Sequence, residues 1–233
     1  MHFQHAPAIW ADYPELAAGA LFATGITASA PVEQPVARFS AAAKARLGSG
    51  TESDLPEIQA WRRAFARMGL KPTQYRCAAE ALLRRFRKER ALPRIHPLVD
   101  LCNAISLASA IPVAALDVAK ISKYVDVRYA VGDERYLTFA GDTEHPEPHE
   151  VIFADAAGHA HARRWTNRQS GSSAVRDTTR AVLVVAEAMH GTAAADVSRL
   201  IATIADELAA GWSVAPVTAL LSPSSPRFEF SSP

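Results

Sequence analysis

Residues 99–131 read VDLCNAISLASAIPVAALDVAKISKYVDVRYAV, and the pattern changes character inside that stretch. Val99 to Ala110 is apolar at most positions, with Leu101, Cys102, Ile105 and Leu107 as larger members, and ends before Pro112. Such a segment reads as a buried helix that the proline stops. Val125 to Val131 reads instead as a strand, with Gly132-Asp133 behind it as a hairpin turn. One polar residue interrupts the helix. Asn103 sits among apolar neighbours, with Ser106 three residues on and so on the same face. A buried amide without partners costs a few kcal/mol, so Asn103 needs either an internal partner or a ligand.

Working outward, the upstream chain is mostly helical. Leu16 to Ile26 reads as an apolar strand, and Phe39 to Leu47 as an Ala-rich helix closed by Gly48-Ser49-Gly50. Leu55 to Met68 places Ile58, Trp61, Phe65 and Met68 at helical spacing, and a third helix runs from about Gln74 to Lys88. Downstream, short strands are expected at Arg135–Phe139, Val151–Phe153, Ala162–Trp165 and Ala181–Val185, with a charged loop over 142–150. Ala194 to Leu208 is an amphipathic closing helix. Beyond Ser222 the tail is Ser/Pro-rich, with Phe228 and Phe230 available to dock it. Helices, then strands, then a helix argue for an α+β fold. The expected division is an N-terminal extension over 1–70, a domain over 71–222 and a tail over 223–233.

The chain has 233 residues, 49% hydrophobic and 21% charged, enough apolar material for a sizeable core. No run approaches the roughly 18 apolar residues of a membrane span, and no secretory leader is read. Cys77 and Cys102 form neither a disulfide framework nor a metal spacing, so a reducing, cytoplasmic setting is expected. The net charge of +1 conceals a basic segment: residues 62–94 carry eleven Arg or Lys against Glu80 and Glu89. Arg84, Arg85, Arg87 and Lys88 are its candidates for contact with a nucleic-acid backbone; a solvated helix face is the alternative.

Familiar catalytic signatures are missing: there is no GxGxxG after a strand, no phosphate-binding glycine loop, no GxSxG and no HExxH. His159 with His161, and His145 with His149, lack a third ligand at a convincing spacing, so no metal is expected.

A resemblance ties these features together. Tyr75-Arg76 with Glu80 to Arg85, Leu92-Pro93, Val99-Asp100-Leu101-Cys102-Asn103 with Ser106-Leu107, Ile111-Pro112 and Leu116 to Ile121 follow one another in order. So do Val127 to Ala130, Phe139-Ala140-Gly141, Ala162 to Arg168, and Thr178 or Thr179 with Val182 to Glu187. From Tyr75 to about Gly191 the chain resembles the B3/B4 editing domain of the phenylalanyl-tRNA synthetase β subunit, and more closely its freestanding homologues. The resemblance implies a three-layer α+β sandwich and cleavage of the ester between an amino acid and the terminal ribose of tRNA, with no cofactor. That ester is activated, so a positioned water, polar groups on the amino acid and a neighbouring ribose hydroxyl suffice without a triad or a metal.

The resemblance also implies site residues. Asn103 is the candidate catalytic group; Arg76, Glu80, Ser106, Arg128, Gly141, Arg163 and Ser173 are candidates for the pocket wall. For the arginines, ion pairs with Glu80, Asp100 or Asp142 are the alternative. Two positions depart from the synthetase pattern: Ala114 replaces a histidine, and Ala174 replaces the glutamate that recognises the tyrosine hydroxyl. Without that acceptor a smaller or aliphatic amino acid is expected rather than tyrosine. The resemblance supports a trans-acting deacylase of charged tRNA, a non-catalytic module that binds tRNA or an amino acid, or a partner that docks on a synthetase.

Overall fold

The computed structural model describes residues 1–48 and 50–231. The chain opens with β1 (His2–His5), α1 (Pro7–Asp12), β2 (Ala17–Thr24) and α2 (Glu33–Leu47). Helices α3 (Pro56–Arg67), α4 (Ala78–Glu89) and α5 (Pro97–Ser109) follow. Then come β3 (Val113–Asp117), β4 (Tyr124–Tyr129), β5 (Tyr136–Leu137), β6 (Thr143–Glu144), β7 (Val151–Ala154), β8 (Ala160–Arg163) and β9 (Arg168–Gln169). The chain closes with β10 (Ala181–Ala188), α6 (Ala193–Trp212), β11 (Val217–Leu221) and β12 (Arg227–Glu229). Among the described residues no helix is long and apolar enough to cross a membrane.

The architecture follows from β10, whose sequence AVLVVAEA is buried at every position. Period two sends Val182, Val184 and Ala186 to one face and Ala181, Leu183 and Val185 to the other. The first set packs against α5 (Leu98, Leu101, Cys102, Ile105) and α6 (Val197, Leu200, Ile201, Ile204, Leu208). The second meets Phe3, Val125, Val127 and Phe153 of the opposite sheet, together with Trp61 and Phe65 of α3. A strand buried on both faces reads as a continuous apolar run. The result is a three-layer α+β sandwich: helices, a four-stranded sheet ordered β11-β2-β10-β3, and a six-stranded sheet ordered β12-β1-β4-β7-β8-β9. Each fully buried Val, Leu or Phe in these layers contributes about 1.5–3 kcal/mol.

The helix layer approaches β2 where a side chain is missing. A Cβ on Gly19 would lie 2.5 Å from Ile201 Cγ1 and 2.9 Å from Val197 Cγ1. Gly19→Ala is therefore expected to push α6 off the sheet at a cost of about 1–3 kcal/mol, read as a lowered denaturation midpoint. An unchanged midpoint would show that α6 shifts freely.

Several expected elements take a different form. α2 starts at Glu33, six residues before the expected Phe39, because Pro35 lies in its first turn, where backbone N–H groups need no helical partner. Gly48 ends this helix with φ at 51°; Ser49 of the expected stop lies outside the described residues. Gly132 does turn the chain, with φ at 105°, but β4 pairs with β7 and β5 with β6, so no hairpin joins β4 to β5. Thr143–Glu144, expected within a loop, is β6. The strand expected over Ala162–Trp165 spans Ala160–Arg163, since Arg164 and Trp165 are left-handed at φ 47° and 58°. The tail is tied down: β12 pairs with β1, and the Phe230 ring stacks on Phe22 at 4.8 Å. Ser232 and Pro233 lie outside the described residues.

Candidate functional site

The start of α5 is fixed by three local features. Pro97 occupies its first turn, buried His96 accepts a hydrogen bond from Leu98 N at 3.2 Å, and Asp100 accepts one from Ile95 N at 2.9 Å. Burial lowers the His96 pKa, with Asp177 and Asp100 opposing, which favours the neutral ring that its capping bond requires. Asn103 stands on the next turn. Its amide, unlike the side chains of Asp100 and Ser106, finds no partner among the described residues, and it borders open space on two sides.

On one side is an outer cavity of about 120 Å³, walled by Val99, Cys102, Val113, Ala115 and Ala174, with Gln169 and Arg176 at its polar edge. Val113 and Gln169 also belong to an inner cavity of about 60 Å³, which reaches Ala114, Phe153, Trp165, Val185 and Glu187. Gln169 is anchored through its amide, which donates to Ala115 O at 2.8 Å. On the other side of Asn103 lies a groove of about 530 Å³ bordered by Lys44, Arg90 and Arg94. Two guanidinium groups (that of Arg94 paired with Glu33 and Asp100), an ammonium and a free amide thus flank the entrance to an apolar recess. The arrangement suits a ligand with a small, weakly polar end and an anionic body.

The two alanines come to this recess. Ala114 lines the inner cavity, and Ala174, 7% exposed and bridged to Leu116, lines the outer one. Most of the other residues suggested by the resemblance are tied into internal networks. Ser106 is fully buried and donates to Ile111 O at 2.6 Å. Glu80, also fully buried, holds Arg62 at 2.5 Å, with Arg76 Nε 3.5 Å away. Arg128 pairs with Glu134, and buried Arg163 with both Glu150 and Glu144. Gly141 turns between β5 and β6 at φ 100° and borders neither cavity. Arg76 does support the recess from behind, since its backbone carbonyl accepts from Asn167 Nδ2 at 2.7 Å. Asn103, Ser106, Gly141 and Ser173 therefore do not gather around one cleft; of these, Asn103 alone faces it.

Ser173 belongs to a Ser–His–Asp array that is closed to solvent. His161 Nδ1 lies 2.9 Å from Ser173 Oγ, and His161 Nε2 approaches Asp155 Oδ2 at 3.3 Å without an aligned hydrogen bond. Ser173 and His161 have no exposure and Asp155 has 3%, so no substrate reaches the hydroxyl and the array is structural. Burial raises the Asp155 pKa, but His161 and the backbone N–H groups of His159 and Ser122 outweigh it and hold the carboxyl far below its usual range. A depressed folded-state pKa adds stability above the unfolded value of about 3.9 that is lost as pH falls through and below it. Asp155→Asn is expected to lower the urea midpoint at pH 7 and to flatten its fall towards pH 3. An acid limb as steep as the parent's would place the acid-sensitive group elsewhere.

Both thiols are inert by environment: burial raises Cys77 and Cys102 to about 12. Glu57, His190 and Asp196 bring potential metal-ligand atoms together, but Arg46 already holds Glu57 at 2.5 Å and Arg199 holds Asp196. His159 faces Arg135 and Asp155 instead of a ligand set, and His161 faces Ser173. On α4, Arg87 and Arg84 lean on buried Glu52 at 2.9 and 3.8 Å, and Arg85 pairs with Glu89; Lys88 has no ion pair among the described residues. Part of the basic segment is thereby neutralised within the fold.

Sequence reasoning missed Gln169, Arg176, Thr166 and Glu187. Glu187 did carry a signal, as the one charged residue in an otherwise apolar strand.

The B3/4 domain family profile matches residues 60–208, which span α5, both cavities and most of α6. Comparison with the curated proteins returns no match. Among solved structures, an N-terminal fragment of the phenylalanyl-tRNA synthetase beta-subunit from Pyrococcus horikoshii is similar over 53% of this chain and 44% of that one, at 10% identity and a TM-score of 0.41. The matched region thus spans less than half of that fragment. With the profile covering more than half of its length, the chain belongs to the B3/4 domain family.

Proposed function

We propose that the protein hydrolyses mischarged aminoacyl-tRNA in trans, with the amino acid in the recess beside Asn103 and the tRNA end in the basic groove. The observation that carries this reading is the unpartnered Asn103 amide at the border between the two. Water adds to the ester carbonyl carbon, the bond to the ribose oxygen breaks, and that oxygen leaves with a proton as free amino acid and uncharged tRNA form. Asn103 donates an N–H to the oxygen on which negative charge develops, and the neighbouring ribose hydroxyl assists the departing oxygen. Lys44 and Arg90, which line the groove and have no ion pair among the described residues, are the cations offered to the phosphates. Ala174 gives the outer cavity no acceptor for a phenol, which supports a substrate other than tyrosine. The cytoplasm, where charged tRNA is used, is the corresponding site of action.

A second reading is favoured by the closure of the Ser173–His161–Asp155 array: a module that holds tRNA or an amino acid without hydrolysis. Incubation with a panel of charged tRNAs separates the two. Hydrolysis of at least one, with tyrosyl-tRNA not the fastest, supports the deacylase. Tight, strongly salt-dependent tRNA binding with every ester left intact supports the module.

A further inference from the structure

Within β10, Glu187 is the one charged residue, and it is 2% exposed. Its Oε1 accepts from His5 Nε2 at 2.6 Å and from Trp165 Nε1 at 2.9 Å. Both of these bonds go to the one oxygen, which leaves the second free to take a further donor, and Glu187 lines the inner cavity. Thr166 lines the same space, and its hydroxyl is buried without a partner. An unmet hydroxyl and a carboxylate with one oxygen to spare therefore border a small recess otherwise walled by Pro112, Val113, Phe153 and Val185. A buried hydroxyl left unmet is costly, so Thr166 calls for a polar partner from outside the chain, and the same partner can donate to the free oxygen of Glu187.

The dimensions and chemistry restrict that donor. At about 60 Å³ the cavity exceeds the roughly 10–15 Å³ one water needs and falls well short of the roughly 150 Å³ of a cavity that takes benzene. A phenol is too large. An ammonium brings three N–H donors and a full charge into a wall with few acceptors, at a desolvation cost that a single carboxylate oxygen does not offset. An aliphatic hydroxyl brings one donor, and its own oxygen can accept from Thr166.

Resting on the proposed site for the aminoacyl end, we propose that the inner cavity is the side-chain subsite for a small aliphatic alcohol of the serine or threonine kind. Glu187 accepts the hydroxyl's hydrogen bond there, and His5 and Trp165 hold the carboxylate in place. This acceptor lines the inner cavity, whereas Ala174 lines the outer one.

The test uses the full chain and non-hydrolysable 3′-amide-linked aminoacyl-adenosines in isosteric pairs, threonyl against valyl and seryl against alanyl, with affinities measured by calorimetry. The hydroxylated member is expected to bind roughly tenfold or more tightly. Glu187→Gln, which keeps an oxygen for His5 or Trp165, is expected to shrink that preference, and Ala114→Leu to weaken both members by filling the cavity. Equal affinity within the pairs on the parent protein overturns this inference and leaves the site reading intact. Binding of no amide at all overturns the site reading itself. A preference that survives unchanged in Glu187→Gln removes Glu187 from the subsite, and if that variant does not fold the parent comparison still decides.

Discussion

Asn103→Ala is expected to slow hydrolysis of a charged tRNA by roughly 100-fold, the scale of losing one donor to a developing oxyanion, while leaving stability nearly unchanged. The two halves of that expectation come from one geometric fact. The amide is partly exposed, borders cavities on two sides and has no partner among the described residues. Its removal therefore orphans no buried group, and truncations of that kind stay within about 0.5 kcal/mol. Paired measurements of initial deacylation rate and thermal midpoint check it. A large loss of stability would assign Asn103 to the core, and an unchanged rate would remove it from the chemistry.

Trp165→Ala is expected to have the largest effect on stability, about 3–5 kcal/mol. The indole is fully buried and packs edge-on against Trp61 at 5.2 Å and Tyr13 at 4.8 Å. It also donates to Glu187, so truncation opens a void and takes a donor from a buried carboxylate. Arg164 and Trp165 both adopt left-handed backbone, a conformation that persists only where packing enforces it. The loss would consume much of the 5–15 kcal/mol available to a typical domain. Chemical denaturation measures it, and a change below about 1 kcal/mol would show that the site's inner wall is not built on this residue.

The parts of the fold legible in the sequence were those whose signal is local. The helical spacing of Ile58, Trp61 and Phe65, and of Val197, Leu200, Ile201 and Ile204, marks α3 and α6 because one apolar stripe suffices to define each. β1, β3, β11 and β12 escaped because they are short and their partners are distant. His2–His5 becomes a strand only by lying between Tyr124–Val127 and Arg227–Glu229. Gly132-Asp133 misled for the same reason: a turn signal does not specify which strands it joins.

The site shows the same limit. Asn103 stood out as an amide in an apolar helix, and it faces the cleft. Ser106 carries a similar signal, but its hydroxyl bonds to Ile111 O beyond the end of the helix. Ser173 is taken by His161, and Arg163 by Glu144 and Glu150, pairings that depend on which strands meet and not on spacing. Glu187 was as conspicuous as Asn103, a carboxylate in AVLVVAEA, yet its role emerges only when His5, Trp165 and Thr166 converge on it.

The central claim, that the recess between Asn103 and Glu187 receives the aminoacyl end of a tRNA, is tested most directly by a crystal structure with amide-linked threonyl-adenosine. The expected result is the amide beside Asn103, the adenosine towards Lys44 and Arg90, and the side-chain hydroxyl on Glu187. A recess left empty while the analogue is bound elsewhere would contradict the account.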